Sequence, residues 1–161
     1  MTDTPRPREQ ARRQHERPHV LIITDEPSLT TFLGEGLLLG GFWTSVVSHG
    51  LQVLEVFRLR QFDLIVLDRE LGNFDAMELL SRLRGVSERA TETQPRTNAP
   101  IVILTSESAT IEQITRESLG ISAVLQAPVE LEDVVQTLHH VFEAWRQLYP
   151  DAPLADASPS G

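Results

Sequence analysis

From Pro18 onward, short uninterrupted aliphatic runs alternate with longer segments in which apolar residues recur every three or four positions. The runs His19 to Thr24 (HVLIIT), Phe42 to Val47 (FWTSVV), Phe62 to Asp68 (FDLIVLD), Pro100 to Thr105 (PIVILT) and Ser122 to Gln126 (SAVLQ) are bounded by polar residues or glycine. That is the pattern of strands covered on both faces. The periodic segments predict helices over Pro27 to Leu39, Leu51 to Gln61, Asp75 to Arg84, Ala109 to Leu119 and Glu130 to Leu148. Alternation of the two kinds predicts an α/β fold, a parallel sheet with helices on both faces.

Local signals sharpen the helix ends. Pro27 suits a first helical turn, where its missing N–H would be unpaired anyway. Asp75 and Glu78 stand at capping-box spacing, and Gly40, Gly85 and Gly120 are expected to stop helices in the left-handed conformation. The last helix carries Leu131, Val134, Val135, Leu138, Val141, Phe142, Trp145 and Leu148 in one apolar stripe. His139 and His140 fall largely off that stripe; neighbours on a helix diverge too far to share a metal, so both are expected to be solvated. Gly85 to Ala99 is polar and interrupted by proline, a long loop.

The ends differ in composition from the centre. Residues 1–18 are rich in Arg and Pro, with Arg6, Arg8, Arg12, Arg13 and Arg17 set against Asp3, Glu9 and Glu16. This predicts a solvated, weakly cationic arm. After Tyr149 the sequence PDAPLADASPSG lacks the apolar area to order itself. One domain over residues 19–149 is therefore expected, flanked by disordered segments at 1–18 and 150–161.

Composition then narrows the classes of function. A chain of 161 residues buries enough surface to fold without disulfides or a structural metal, and the lack of cysteine excludes any thiolate site. The formal charge of −9 argues against a general nucleic-acid binder. No apolar run approaches the roughly 20 residues of a membrane span, and the N-terminus has no signal-like apolar stretch. A soluble cytoplasmic protein is expected. Every basic side chain apart from histidine is arginine, so no ammonium group is available to chemistry that needs one.

In an alternating βα chain, ligands collect at the C-terminal ends of the strands, near the switch in strand order. The first strand ends in Thr24-Asp25-Glu26, the third in Asp68 and the fourth in Thr105-Ser106. Carboxylates brought together there repel unless a cation joins them, which suits an oxygen-loving divalent ion such as Mg²⁺. A carboxylate beside such an ion can attack phosphorus and become an aspartyl phosphate.

Three motifs at this edge, VLIITDEPSL from Val20, FDLIVLDRELGNFDAMELLSRLR from Phe62 and PIVILTS from Pro100, resemble the receiver domain of bacterial two-component response regulators. The resemblance runs from His19 to about Phe142. It implies a flavodoxin-like (βα)5 fold, a doubly wound five-stranded parallel sheet of order 2-1-3-4-5. It also implies Asp68 as phosphoacceptor, Asp25, Asp68 and the Glu70 backbone carbonyl as Mg²⁺ ligands, Thr105 as the hydroxyl that senses the phosphoryl group, and a cis peptide at Pro128. The chain departs from the family where an acidic pair is usual: Thr24 stands in the first place, with Glu26 a candidate substitute acid. Ala127 stands where the family has lysine, and Val124 where it has an aromatic switch residue. Loss of an acid and a base together leaves the charge of the pocket unchanged, while phosphoryl transfer loses a cation.

Arg69 and Glu70 read most simply as a surface ion pair, and Val124 as core. Two functions follow. The first is a single-domain, non-enzymatic response regulator. A histidine kinase or phosphotransfer protein phosphorylates it, and it signals to a downstream protein through the face of the fourth helix, fifth strand and fifth helix. The second is a pseudo-receiver, an interaction or dimerisation module that works without phosphate. Trp145, Leu148 and Tyr149 extend the last helix and suit a homodimer contact. No DNA-binding effector domain is expected in the residues after that helix. A flavin enzyme of the same fold is disfavoured, because no glycine-rich phosphate loop follows the first strand.

Overall fold

The computed structural model describes residues 17–87, 96–106 and 111–155. Five parallel strands, β1 (His19–Ile23), β2 (Trp43–Val47), β3 (Leu64–Asp68), β4 (Ile101–Thr105) and β5 (Ile121–Gln126), form one sheet of order β2-β1-β3-β4-β5. The helices are α1 (Pro27–Leu39), α2 (Gly50–Leu59), α3 (Ala76–Arg84), α4 (Gln113–Leu119) and α5 (Leu131–Leu148).

Alternation along the buried strands divides the core in two. Val20, Ile22, Leu64, Val66, Val102 and Leu104 face Leu33 and Leu37 of α1 and Val134, Leu138 and Val141 of α5. Leu21, Ile23, Ile65, Leu67, Ile101 and Ile103 face Val53 and Phe57 of α2, Leu79, Leu80 and Leu83 of α3, and Leu119 of α4. Every residue of β1, β3 and β4 is buried, which explains their unbroken apolar runs. Val124, expected in the core, is partly buried and packs against the core on the α2–α4 side.

Several boundaries and contacts differ from the sequence reading. Gly85 and Gly120 do end α3 and α4 in the left-handed region, at φ 73° and 63°, but Gly40 at the end of α1 has φ −83° and stays right-handed. The positive φ, 103°, falls one residue later at Gly41. α4 begins at Gln113, after Glu112, whose ψ of 142° is not helical, and Ile111, which packs against the core; residues 107–110, which include the expected start at Ala109, lie outside the described residues. Asp75 caps α3 through Glu78 N at 2.9 Å, whereas the Glu78 carboxylate accepts from Arg82 and Ser87.

His139 is exposed but engaged: its Nε2 lies 2.8 Å from Gly40 O and its ring 4.3 Å from that of Phe42. Arg84 ties α3 to the end of α4 through Leu119 O, Gly120 O and Thr97 O, and burial lowers its guanidinium to about 10. Described residues of the two flanking segments make contacts with the domain. Arg17 stacks over Trp43 and Pro18 is buried, while Ala155 N donates to Asp63 Oδ1 at 2.8 Å. A buried carboxylate at the start of β3 thus gives an otherwise polar tail a partner that composition alone does not reveal. Residues 1–16, 88–95 and 156–161 lie outside the described residues.

Candidate functional site

Strand order reverses at β1, which pairs with β2 on one side and β3 on the other, so a crevice opens beyond the C-terminal ends of β1 and β3. A cavity of about 290 Å³ lies at this edge, lined by Asp25, Glu26, Asp68, Glu70, Thr105, Ser106 and Ala127 among others. The two aspartates from separate strands therefore meet at one rim.

Register explains the arrangement around Asp68. Ile23 pairs with Leu67, so the next residue of each chain, Thr24 and Asp68, come side by side as the strands end. Thr24, fully buried, donates its hydroxyl to Asp68 Oδ2 at 2.7 Å and accepts from Glu26 N at 3.1 Å. Asp68 Oδ1 accepts from Glu70 N at 2.9 Å, and Asp68 O from Leu71 N at 3.2 Å, which folds the loop after β3 back over the carboxylate. Burial pushes the Asp68 carboxyl above its usual value, the Thr24 hydroxyl and Glu70 N–H oppose the rise, and the Glu70 carboxylate adds to it.

The same loop is held at two further points. Asp25 Oδ2 accepts from Gly72 N at 2.9 Å, so Asp25 bridges β1 to the loop after β3. Asn73 donates to Ser48 O and accepts from Gly50 N at 3.0 Å, fastening the loop to the start of α2. Gly50 is required there, because a Cβ would lie 2.3 Å from Phe74 Cβ.

Glu26 lines the cleft, but its Oε1 accepts from Ser28 N and Ser28 Oγ and so caps α1. One oxygen of the carboxylate expected as a spare acid thus serves the helix end, while the side chain still lines the cleft. Glu70 does not follow the surface-pair expectation: its Oε1 accepts from Ser106 N and Ser106 Oγ, both at 2.6 Å, and from Thr105 Oγ1 at 3.2 Å. Desolvation acts upward on the Glu70 carboxyl, but the Ser106 bonds and the others outweigh it and hold the group below its usual value. The sequence predicts for Glu70 a backbone-carbonyl ligand and a surface pair with Arg69, and no separate role for Ser106; nothing in the hydrophobic periodicity marks where a loop carboxylate will reach. Thr105, buried, also accepts from Ala127 N through its carbonyl at 2.7 Å, and the Ala127–Pro128 peptide is cis.

For a cation, Asp25 and Asp68 are carboxylates at the strand ends, with Glu26 on the same cleft wall. Asp25 keeps Oδ1 without a protein donor among the described residues, and the Glu70 carbonyl lies in the same loop. No group of three or more His, Asp or Glu side chains suited to a metal is assembled among the described residues, since Thr24 holds the place of a third acid. The donors present, carboxylate and carbonyl oxygens, are of the kind Mg²⁺ prefers.

A doubly wound parallel sheet with an acidic strand-end cleft at its switch point defines a class of α/β proteins. Residues 20–139 match the response regulator receiver domain, and the chain belongs to that family. It is 25% identical over 129 residues to the transcriptional regulatory protein GlrR of Escherichia coli (strain K12), covering 80% of this chain and 27% of GlrR. It is 30% identical over 118 residues to the transcriptional regulatory protein BaeR of Escherichia coli O6:H1, covering 73% of this chain and 45% of BaeR. The chain thus spans about a quarter to a half of these relatives. Among solved structures, a CheY-like receiver domain from Methanospirillum hungatei JF-1 superposes with a TM-score of 0.70 at 15% identity, covering 83% of this chain and 99% of that one. The chemotaxis response regulator CheY4 of Vibrio cholerae superposes with a TM-score of 0.65 at 22% identity, covering 78% and 98%. The family serves two-component signalling, and no helix among the described residues is long and apolar enough to cross a membrane.

Proposed function

We propose that this receiver domain accepts a phosphoryl group on Asp68 and passes the signal on through protein contacts. The observation that carries the reading is the placement of Asp68. It ends a central strand, 7% exposed, at the rim of an open cleft, with its carboxylate held by Thr24 and the Glu70 N–H. An Asp68 oxygen forms the new bond to phosphorus as the bond from phosphorus to the donor breaks. That donor is the imidazole of a histidine kinase or phosphotransfer protein, which keeps the electron pair. Asp25, Asp68 and the Glu70 carbonyl would hold Mg²⁺, which neutralises charge on the transferred oxygens. Thr105 donates to a phosphoryl oxygen and carries the change to β5 through the bond between Ala127 N and Thr105 O. The partner face is that of α4, β5 and α5, where Ile114 and Leu148 are exposed, and a second copy of the chain is one candidate occupant.

A second reading, a pseudo-receiver that works without phosphate, draws on one observation. Ala127 lines the cleft where a cation would assist transfer, and the whole chain lacks lysine. The test that separates the two is intact-mass analysis of the protein with acetyl phosphate across a Mg²⁺ titration, for the wild type and Asp25→Asn. Adduct formation that rises with Mg²⁺ and is blunted in Asp25→Asn supports phosphoryl transfer; absence of adduct at every Mg²⁺ concentration supports the pseudo-receiver.

A further inference from the structure

The Glu70 side chain is exposed and sits in the loop after β3. Yet its Oε1 gathers a backbone N–H and two hydroxyls, from Ser106 N, Ser106 Oγ and Thr105 Oγ1, at 2.6, 2.6 and 3.2 Å. Three donors converging on one anionic oxygen form an oxyanion cradle, and the two short bonds have charge-assisted lengths. The cradle lies at the end of β4 next to Asp68, since Asp68 pairs with Leu104 and Arg69 N donates to Leu104 O. A phosphoryl group on Asp68 would carry anionic oxygens into the same cleft, where no basic side chain lines the wall among the described residues. Its oxygens and the Glu70 carboxylate would need the same donors.

We infer that the Glu70 carboxylate is an internal stand-in for a phosphoryl oxygen. It holds Thr105 and Ser106 in their anion-bound arrangement in the unmodified chain and competes with an incoming phosphoryl group for them. The inference rests on the reading of Asp68 as phosphoacceptor and adds its regulation. Glu70 slows phosphorylation twice, by occupying the cradle and by repelling the anionic donor. It also narrows the difference between unmodified and phosphorylated states at Thr105, so partners that read this hydroxyl would bind the unmodified chain in part.

The test compares wild type, Glu70→Ala and Glu70→Gln. The readouts are the rate of adduct formation with acetyl phosphate and Mg²⁺, and the amide proton of Ser106 by NMR in the unmodified proteins. Glu70→Ala is expected to form adduct about tenfold faster, with Glu70→Gln between it and wild type, and the Ser106 amide is expected to move upfield in Glu70→Ala. If wild type forms adduct and Glu70→Ala is no faster, the inference is overturned while the reading of Asp68 stands. A Ser106 amide that does not move overturns it as well. Absence of adduct in all three proteins overturns the reading of Asp68 and the inference with it. A carboxylate that served mainly as a metal ligand would show the opposite sign, with Glu70→Ala slower and needing more Mg²⁺.

Discussion

The hydroxyl of Thr24 donates to Asp68 across two adjacent strand ends, 2.7 Å from Oδ2, with both residues buried. In the family pattern an acid stands at position 24; here a neutral donor takes its place and supports the neighbouring carboxylate directly. The substitution exchanges a repulsive contact that needs a cation for an attractive one that does not.

Thr24→Val keeps the shape and removes the donor, leaving a buried carboxylate oxygen and the Glu26 N–H short of a partner. It is expected to cost about 1–3 kcal/mol at neutral pH by urea unfolding. The variant's Asp68 pKa rises further above the unfolded value of 3.8, so the folded variant binds protons that the wild type does not. The gap between the two proteins should therefore narrow as the pH falls through the Asp68 titration. A gap independent of pH would contradict the bond's charge-assisted character.

Asp63 provides a contrast at the opposite end of the sheet. Its two oxygens accept from His19 N at 2.7 Å and Ala155 N at 2.8 Å, and burial raises its carboxyl pKa despite those donors. Asp63→Ala strands both N–H groups and is expected to cost about 2–4 kcal/mol. Because the folded wild type holds its Asp63 proton more tightly than the unfolded chain, its advantage over the variant should widen on acidification toward 3.8, the reverse of the trend for Thr24→Val. Urea unfolding at several pH values measures both slopes.

Gly50→Ala places a methyl group against Phe74 Cβ, an atom too close to the backbone to swing aside. A loss of about 1–3 kcal/mol is expected, with the loop after β3 loosened; faster hydrogen exchange at the Gly72 amide, which donates to Asp25, would report it. Unchanged exchange would show that the loop is held by Asp25 and Asp68 alone.

The fold was legible because its carriers are long, periodic and buried. Apart from His19, β1, β3 and β4 are apolar at every position before their polar ends, and the helices repeat their apolar residues at the spacing that covers a sheet. Asp25, Asp68 and Thr105 were legible too, since strand ends in this topology converge. The details that depend on a single side chain's reach were not. Glu70 sits in a loop with no periodicity to fix its direction, and the sequence left open which use of Glu26 the fold would show; one of its oxygens caps α1. Residues 150–155 lack apolar content, and their docking depends on one buried acceptor, Asp63, that lies 92 positions away from Ala155 in sequence.

Restoring the missing groups tests the account of the cleft's chemistry. Thr24→Asp with Ala127→Lys supplies an acid for the cation and an ammonium for the moving oxygens, and adduct formation with acetyl phosphate and Mg²⁺ should speed up at least about tenfold. Thr24→Asp alone, which adds a buried charge beside Asp68, should lower stability when Mg²⁺ is absent and recover part of it when Mg²⁺ is added. An unchanged rate in the double variant would mean that the departures at 24 and 127 do not limit the chemistry.

The most direct measurement is the site of modification. After incubation with acetyl phosphate and Mg²⁺, peptide mapping by mass spectrometry should find one phosphoryl group on the peptide that contains Asp68, and the Asp68→Asn protein should carry none. A phosphoryl group on any other residue, or an equal adduct in Asp68→Asn, would contradict the assignment of this cleft as the phosphoacceptor site.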